Sequence, residues 1–272
     1  MKYELIKKII LPLLVLSTIW GIWSGIASVV DGFPTPANTY LAAFGGEDAE
    51  GDEIDGIFAN PFYIDSEEDK GIFWHLLASL KKVFGGFALS LIIGIPLGLH
   101  IGMSKNLQYA FDPIIHLLKP VSPLAWLPLL LFIFKDSNMT VISTIFLTSL
   151  WPVMIYTVLG VRSVSENYMN VARVLRFNAL EKVVQIILPV AVPYIFSGMR
   201  LSLGLSWLVI IGAEMLAGGI GIGTWIWNAY DDLAYSHVII GMFLVSIIGF
   251  ILDLMMRKVS DFFDYTKKGR AS

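Results

Sequence analysis

Six long apolar runs divide this 272-residue chain, at roughly 9–30, 76–102, 113–134, 139–161, 190–215 and 236–256. A helix needs roughly 20 residues to cross about 30 Å of hydrocarbon, and every run reaches that length. The pattern predicts an all-α membrane protein with six transmembrane helices, forming one transmembrane domain over residues 1–272. Composition agrees without proving it. Apolar residues make up 56% and charged residues only 15%, against about 25% charged in an ordinary soluble domain. A chain of this size can also bury a large soluble core, so the continuity of the runs carries the argument.

Lys7 and Lys8 precede the first run, from Ile9 to about Val30, in the manner of a secretory signal. The run is longer than a signal core of about 7–15 residues and no small-x-small site closes it, so it reads as a retained first span. After it, the stretch Asp31–Asp69 holds eleven acids and no Lys or Arg, together with Pro34, Pro36, Gly45, Gly46 and Pro61. That composition predicts a solvated acidic loop over 31–72 with little regular structure. Its carboxylate spacing fits no EF-hand, so an acidic surface is read in preference to a calcium site.

The cations orient the chain. With the N-terminus inside, the inner segments hold fifteen Lys and Arg, and the outer side holds Lys70, Lys81, Lys82 and Lys135, four in all. This satisfies the positive-inside rule and places both termini in the cytoplasm, with the acidic loop outside.

Small residues recur every fourth position in the second run, at Gly86, Ser90, Gly94, Gly98 and Gly102, and again at Gly21 and Gly25 in the first. Such faces let helices approach closely in lipid, where no hydrophobic effect drives their association. The third run holds Pro113, Pro120, Pro123 and Pro128. It reads as a kinked helix near the cytoplasmic face or as a bent, pore-lining element, and the two are compatible. The chain has no cysteine, so disulfides, thiolate metal sites and cysteine catalysis are excluded. Its four histidines (His75, His100, His116, His237) form no i, i+4 pair, so neither a metal site nor a catalytic centre is expected.

One polar segment stands out, ENYMNVARVLRFNALEKVVQIILPVAVP at Glu166–Pro193, within a cytoplasmic loop predicted over 163–189. Val171, Val174, Leu175 and Phe177 give it an apolar edge beside Arg173 and Arg176. A short exposed amphipathic helix asks for a partner groove, or lies along the membrane surface.

This segment resembles the signature loop of bacterial ABC-importer permeases: a Glu-Ala-Ala triplet, a Gly a few residues on, then Ile-x-Leu-Pro. Here the triplet position reads Asn170-Val171-Ala172, the Gly position is Arg176, and the ending is Ile186-Ile187-Leu188-Pro189. Asn and Arg thus replace the two most diagnostic residues while the spacing is kept. PVSPLAWLP (Pro120–Pro128), NVARVL (Asn170–Leu175) and the stretch Gly198–Leu233 resemble the nitrate/nitrite and bicarbonate branch, akin to taurine and alkanesulfonate permeases.

The resemblance, over roughly 70–260, implies a type I ABC importer permease fold with a cytoplasmic coupling helix, in a bacterial inner membrane. It implies a second permease copy, cytoplasmic ATPase subunits that use ATP, and an extracytoplasmic binding protein, with no cofactor on this chain and no nucleic acid. Asn170, Val171, Ala172, Arg173, Leu175, Arg176 and Pro189 would carry the coupling. The absence of a GxxxxGK[ST] loop fits a chain that does not hydrolyse ATP itself. The GGIGIG cluster at Gly218–Gly223 lacks that lysine and reads as a flexible external turn.

Weakly hydrated oxyanions can pass along Ser, Trp and backbone donors. The candidate path residues are Ser122, Trp126, Arg200, Ser202, Ser206 and Trp207. Trp207, like Trp225, can equally serve packing or an aromatic belt. Arg200 is an attractive charge near the exit or a snorkelling residue. Glu214 would repel an anion, so it is expected to pin the external turn or meet the binding protein. The two lie fourteen residues apart, about 21 Å of helix, so they do not pair with each other. The reading preferred is an importer permease for nitrate or nitrite, then bicarbonate or a sulfonate. The alternative of another class is a solitary carrier or channel, against which stands the lack of an inverted repeat or filter motif.

Overall fold

The computed structural model describes residues 2–47, 53–66 and 70–263. Asp48, Glu50, Asp52, Glu67, Glu68, Asp69, Lys267, Lys268 and Arg270 lie outside the described residues, and so do the side chains of Lys2 and Lys7. Among the described residues, five helices are long and apolar enough to span a membrane. They are α1 (Lys2–Val29, apolar from Ile10), α3 (Ile72–Met103), α6 (Ser137–Arg162), the continuous helix Ala179–Ala217 and α11 (Tyr235–Phe263). The sixth apolar run is a broken pair, α4 (Lys105–Leu118) and the stretch Pro123–Phe134, bent by 87°. That stretch is a short 3₁₀ turn followed by α5 (Leu127–Phe134).

The break is sharper than a kink because prolines stand on both sides of it. Pro120 follows the last turn of α4, Pro123 opens the 3₁₀ turn, and Pro128 stands at the start of α5. Each removes a backbone donor, and each suits a helix start better than a helix interior. The next helix begins cleanly: Lys135 takes a left-handed conformation and Asp136 caps α6 by accepting from the Met139 amide at 2.7 Å.

The chain forms two compact units. One comprises Met1–His75 and Trp225–Leu244. Its loop is more ordered than an acidic linker need be. Thr35 caps α2 (Pro36–Phe44), and a two-residue hairpin pairs β1 (Gly46–Glu47) with β2 (Glu53–Ile54). The chain then folds back so that the Ile57 and Phe58 amides donate to the Ala42 and Ala43 carbonyls. Phe44 lies against Phe58 and Phe62 against Phe73, with ring centroids 5.5 Å and 4.6 Å apart. These aromatic contacts, interspersed among the acids, tie the turns of the loop together at its surface.

The other unit comprises Leu76–Thr224 and Val245–Ser272. Its core gathers Val83 and Phe87 of α3, Val141 and Ile145 of α6, Leu203, Trp207 and Ile210 of α9 (Leu188–Ala217), and Leu252 of α11. The small face of α3 does what its spacing predicts. A side chain on Gly86 would meet Ile142 and Ile145, one on Gly98 would meet Thr157, and one on Gly102 would meet Val161, all below 3.0 Å. Gly21 and Gly25 touch nothing within 4 Å, so the stripe on α1 serves no contact among the described residues.

Helix α6 carries buried hydroxyls. Thr140, Thr144, Thr148 and Thr157 are buried; Thr144, Thr148 and Thr157 each donate to the carbonyl four residues back, and Thr140 does so to Asp136. Ser149 and Ser206 share a hydrogen bond of 2.5 Å. Buried hydroxyls satisfied in this way let two helices meet closely without an orphaned donor.

Candidate functional site

The coupling segment folds as a short helix, α7 (Glu166–Val174), followed by a tight turn. Arg173 donates from Nη1 to the Asn170 side chain at 3.0 Å, so the residue in the triplet's acidic place still meets a cation. Ala172 is fully buried, whereas Val171, Val174 and Leu175 are 52%, 82% and 59% exposed. The apolar edge thus faces away from the chain and the small alanine faces inward. An apolar strip this exposed on a polar helix marks an interaction surface.

The end of α7 explains the glycine in the family's pattern. The Phe177 amide donates to the Ala172 carbonyl and the Arg176 amide to that of Arg173, the two bonds of a Schellman ending. Arg176 occupies the left-handed position with φ 55°. Glycine is the natural occupant there, and an arginine carries local strain. The chain then re-enters the membrane helix through α8 (Ala179–Lys182), whose start is a reciprocal Asn178–Glu181 capping box. A π-helical stretch, Val183–Ile187, leads into α9. It lies directly before Pro189, which lacks the amide that a regular turn would use.

The six path candidates separate into two groups. Ser202 and Ser206 are fully buried, and the Ser202 hydroxyl donates to the Ser149 carbonyl. Trp207 is buried too, its indole donating to the Val245 carbonyl at 2.9 Å. A side chain on Gly249 would strike the Trp207 ring, so the indole fills the gap that this glycine leaves. These three hold helices together, and Trp207 also lines a small cavity of about 90 Å³ with Arg200 and Gly204. Ser122 is exposed and Trp126 half-buried, both beside the break between α4 and α5. Trp225 makes an edge-on contact with His237, centroids 5.9 Å apart.

Arg200 does not stand alone. Its Nε and Nη2 donate to the two carboxylate oxygens of Asp253 on α11, at 2.7 and 3.0 Å. Arg257, one turn on, reaches the same Asp253 Oδ2 at 3.3 Å. The Arg200 and Asp253 side chains are 39% and 41% exposed. They border a groove of about 500 Å³ that continues along the outward face of α9, past Ser197, Leu201, Gly204, Leu205 and Leu208. By sequence Arg257 is one of the fifteen inner cations, and Asp253 carries no assigned role. Asp253 is the single acid of the sixth apolar run, which is the signal that a partner was required.

Glu214 lies near the other end of α9, fully buried. It accepts from Lys82 Nζ at 3.0 Å, from the Ser79 hydroxyl and from the Gly223 amide at 3.0 Å. Lys82 also donates to the Ile220 carbonyl at 2.7 Å, and Ser79 accepts from the Ile222 amide. This cluster stitches α3, α9 and the start of α10 (Ile222–Asp231) around the GGIGIG turn. Gly218 and Gly219 have φ of 73° and 86°, and a side chain on Gly221 would overlap the Glu214 carboxylate. The expected flexible turn is therefore pinned. Its glycines serve backbone conformation and close approach. Lys82, counted at first as an outer surface cation, is 5% exposed.

Residues 90–263 match the family of binding-protein-dependent transport system inner membrane components. The chain is 44% identical over 200 residues to the nitrate import permease protein NrtB of Leptolyngbya laminosa, covering 74% of this chain and 72% of that protein. It is 42% identical over 194 residues to the bicarbonate transport system permease protein CmpB of Synechococcus elongatus, covering 71% and 70%. Among solved structures, the MetNI methionine ABC transporter in inward-facing conformations matches with a TM-score of 0.62 at 12% identity, covering 71% of this chain and 95% of that one. At that identity the likeness concerns the fold.

Proposed function

The chain belongs to the family of binding-protein-dependent transport system inner membrane components, and on that premise we propose that it forms the translocation path of an ABC importer for a small inorganic anion, nitrate or nitrite first. The observation that carries the solute is the 44% identity to a nitrate import permease over 200 residues. Bicarbonate is the second reading, favoured by 42% identity to a bicarbonate transport permease.

In this reading two copies of the chain enclose the path. The α7 edge of each copy, Val171 with Val174 and Leu175, seats in a groove on a separate ATPase subunit, which binds and hydrolyses the ATP. Asn170, Ala172, Arg173, Arg176 and Pro189 shape that helix and its return to the membrane. Both termini face the cytoplasm, and the acidic loop and the pinned GGIGIG turn face the binding protein outside. Ser122, Trp126 and Arg200 are the path residues that the structure leaves accessible. An anion meets there exposed hydroxyl, indole and guanidinium donors, the donor types that suit weakly hydrated oxyanions.

The test is uptake into proteoliposomes that hold the permease with its ATPase subunits and cognate binding protein, offered nitrate, nitrite, bicarbonate or taurine. ATP-dependent nitrate or nitrite uptake is expected, and permease reconstituted alone should carry nothing. Uptake of taurine only would overturn the anion assignment, and robust flux by the permease alone would make the chain a carrier.

A further inference from the structure

The Arg200–Asp253 pair is an incomplete salt bridge set in an open groove, and its incompleteness is informative. Asp253 occupies one edge of the guanidinium, the Nε–Nη2 edge. Among the described residues no hydrogen bond falls on Nη1, so the end-on edge of the fork keeps its donors. A guanidinium offers five donors in a planar arrangement that matches a planar oxyanion in two-point contact. The pair itself lines a groove of about 500 Å³, together with Ser197, Gly204, Leu205 and Ser260. A side chain on Gly204 would meet nothing within 4 Å, so the groove is open at this level.

Asp253 also has a second cation in reach. Arg257 donates to its Oδ2 at 3.3 Å, from the next turn of the same helix. Withdrawal from Arg200 therefore leaves the carboxylate paired. We propose that Asp253 is a resident competitor for the transported anion, shuttling between Arg200 and Arg257. The anion enters on the free edge of Arg200 while Asp253 leans on Arg257, and the return of Asp253 to Arg200 expels it. This inference rests on the anion-importer reading above and assigns Asp253 and Arg257 as positioning residues for release.

The two residues make opposite predictions, which a merely structural role would not. In the reconstituted importer, Asp253→Asn removes the charge that hydrogen-bonds Arg200 and leaves only Asp261 acting on it through space, so the anion lingers on Arg200. Inhibition by the same anion loaded on the ATPase side should then strengthen by roughly tenfold, the scale of one charged hydrogen bond, while maximal uptake falls. Arg257→Gln removes the alternative partner and holds Asp253 on Arg200, so that inhibition should weaken instead. Both proteins are checked for wild-type yield and for ATPase stimulation by the loaded binding protein. Shifts in the same direction, or no shift in either, overturn the proposal. The wild-type arm keeps the two claims apart, because an importer that moves none of nitrate, nitrite or bicarbonate overturns the anion reading itself. If it moves bicarbonate only, the variants are measured with bicarbonate.

Discussion

Helix α9 carries two charged residues, Arg200 and Glu214, and each finds its counter-ion on another helix in a contrasting way. Glu214 and Lys82 are sealed from solvent, and the further hydrogen bonds of the cluster involve Ser79, Ile220, Ile222 and Gly223. Arg200 and Asp253 are about 40% exposed, share a second arginine and keep an unused edge. A buried charge is tolerated only when fully paired, so the first arrangement is a fixed joint. An exposed pair holds its geometry weakly, so the second can exchange partners. The same chemistry therefore serves structure at one end of the helix and mobility at the other.

The contrast breaks most visibly at the joint. Lys82→Met leaves the Glu214 carboxylate buried without its cation, and Glu214→Leu strands the ammonium. Each should cost about 3–5 kcal/mol, read as a fall in the thermal midpoint and in the yield of detergent-purified protein. The double variant should recover much of the loss, since no charge is then left uncompensated. Full stability in either single variant would show that the cluster is not sealed. Gly221→Ala is the next largest change. Its methyl would overlap the Glu214 carboxylate, and overpacking of this kind costs about 1–3 kcal/mol, seen in the same melt.

The turn after α7 offers a change of opposite sign. Arg176→Gly relieves a left-handed non-glycine residue, φ 55°, and should stabilise the loop by about 1 kcal/mol. Slower limited proteolysis across the segment Glu166–Lys182 would report it. Asp253→Asn sits lower again. An exposed pair is worth about 0–1 kcal/mol, so its melt should barely move even though its transport changes.

Much of this was readable from residues alone. The apolar runs located the spans because hydrocarbon demands continuous apolar length, and the four-residue glycine period of α3 located its contact with α6. The apolar edge of α7 was legible from the spacing of Val171, Val174 and Leu175, since these positions fall on one face of a short polar helix. Burial was harder to read. Ser202, Ser206 and Trp207 have side chains that suit an anion path, and only the packed seam shows that their donors are already taken by Ser149 and Val245. Lys82 and Glu214 stand 132 residues apart, and nothing local in either run names the other. Pairing each span's lone acid with a span cation would have found Asp253, because an ionisable residue in lipid needs a partner. The order of the acidic loop was hidden by its charge, because the Thr35 cap, the hairpin and the return to Ala42 and Ala43 are made by one side chain and by backbone groups.

The smallest stability change should accompany the largest loss of function. Val171→Asp and Leu175→Asp alter side chains that are 52% and 59% exposed and touch no core, so each should stay within about 0.5 kcal/mol of wild type. If α7 seats in an ATPase groove, a carboxylate there loses its water without gaining a partner, and uptake should fall to background while the permease remains folded in the membrane. The measurement is ATP-driven uptake beside a melt of the same preparation. Normal uptake by both variants would remove α7 as the docking surface. Loss of uptake with an unchanged melt would extend the lesson of the two ion pairs to the whole chain: sealed residues set stability, and exposed ones do the transport.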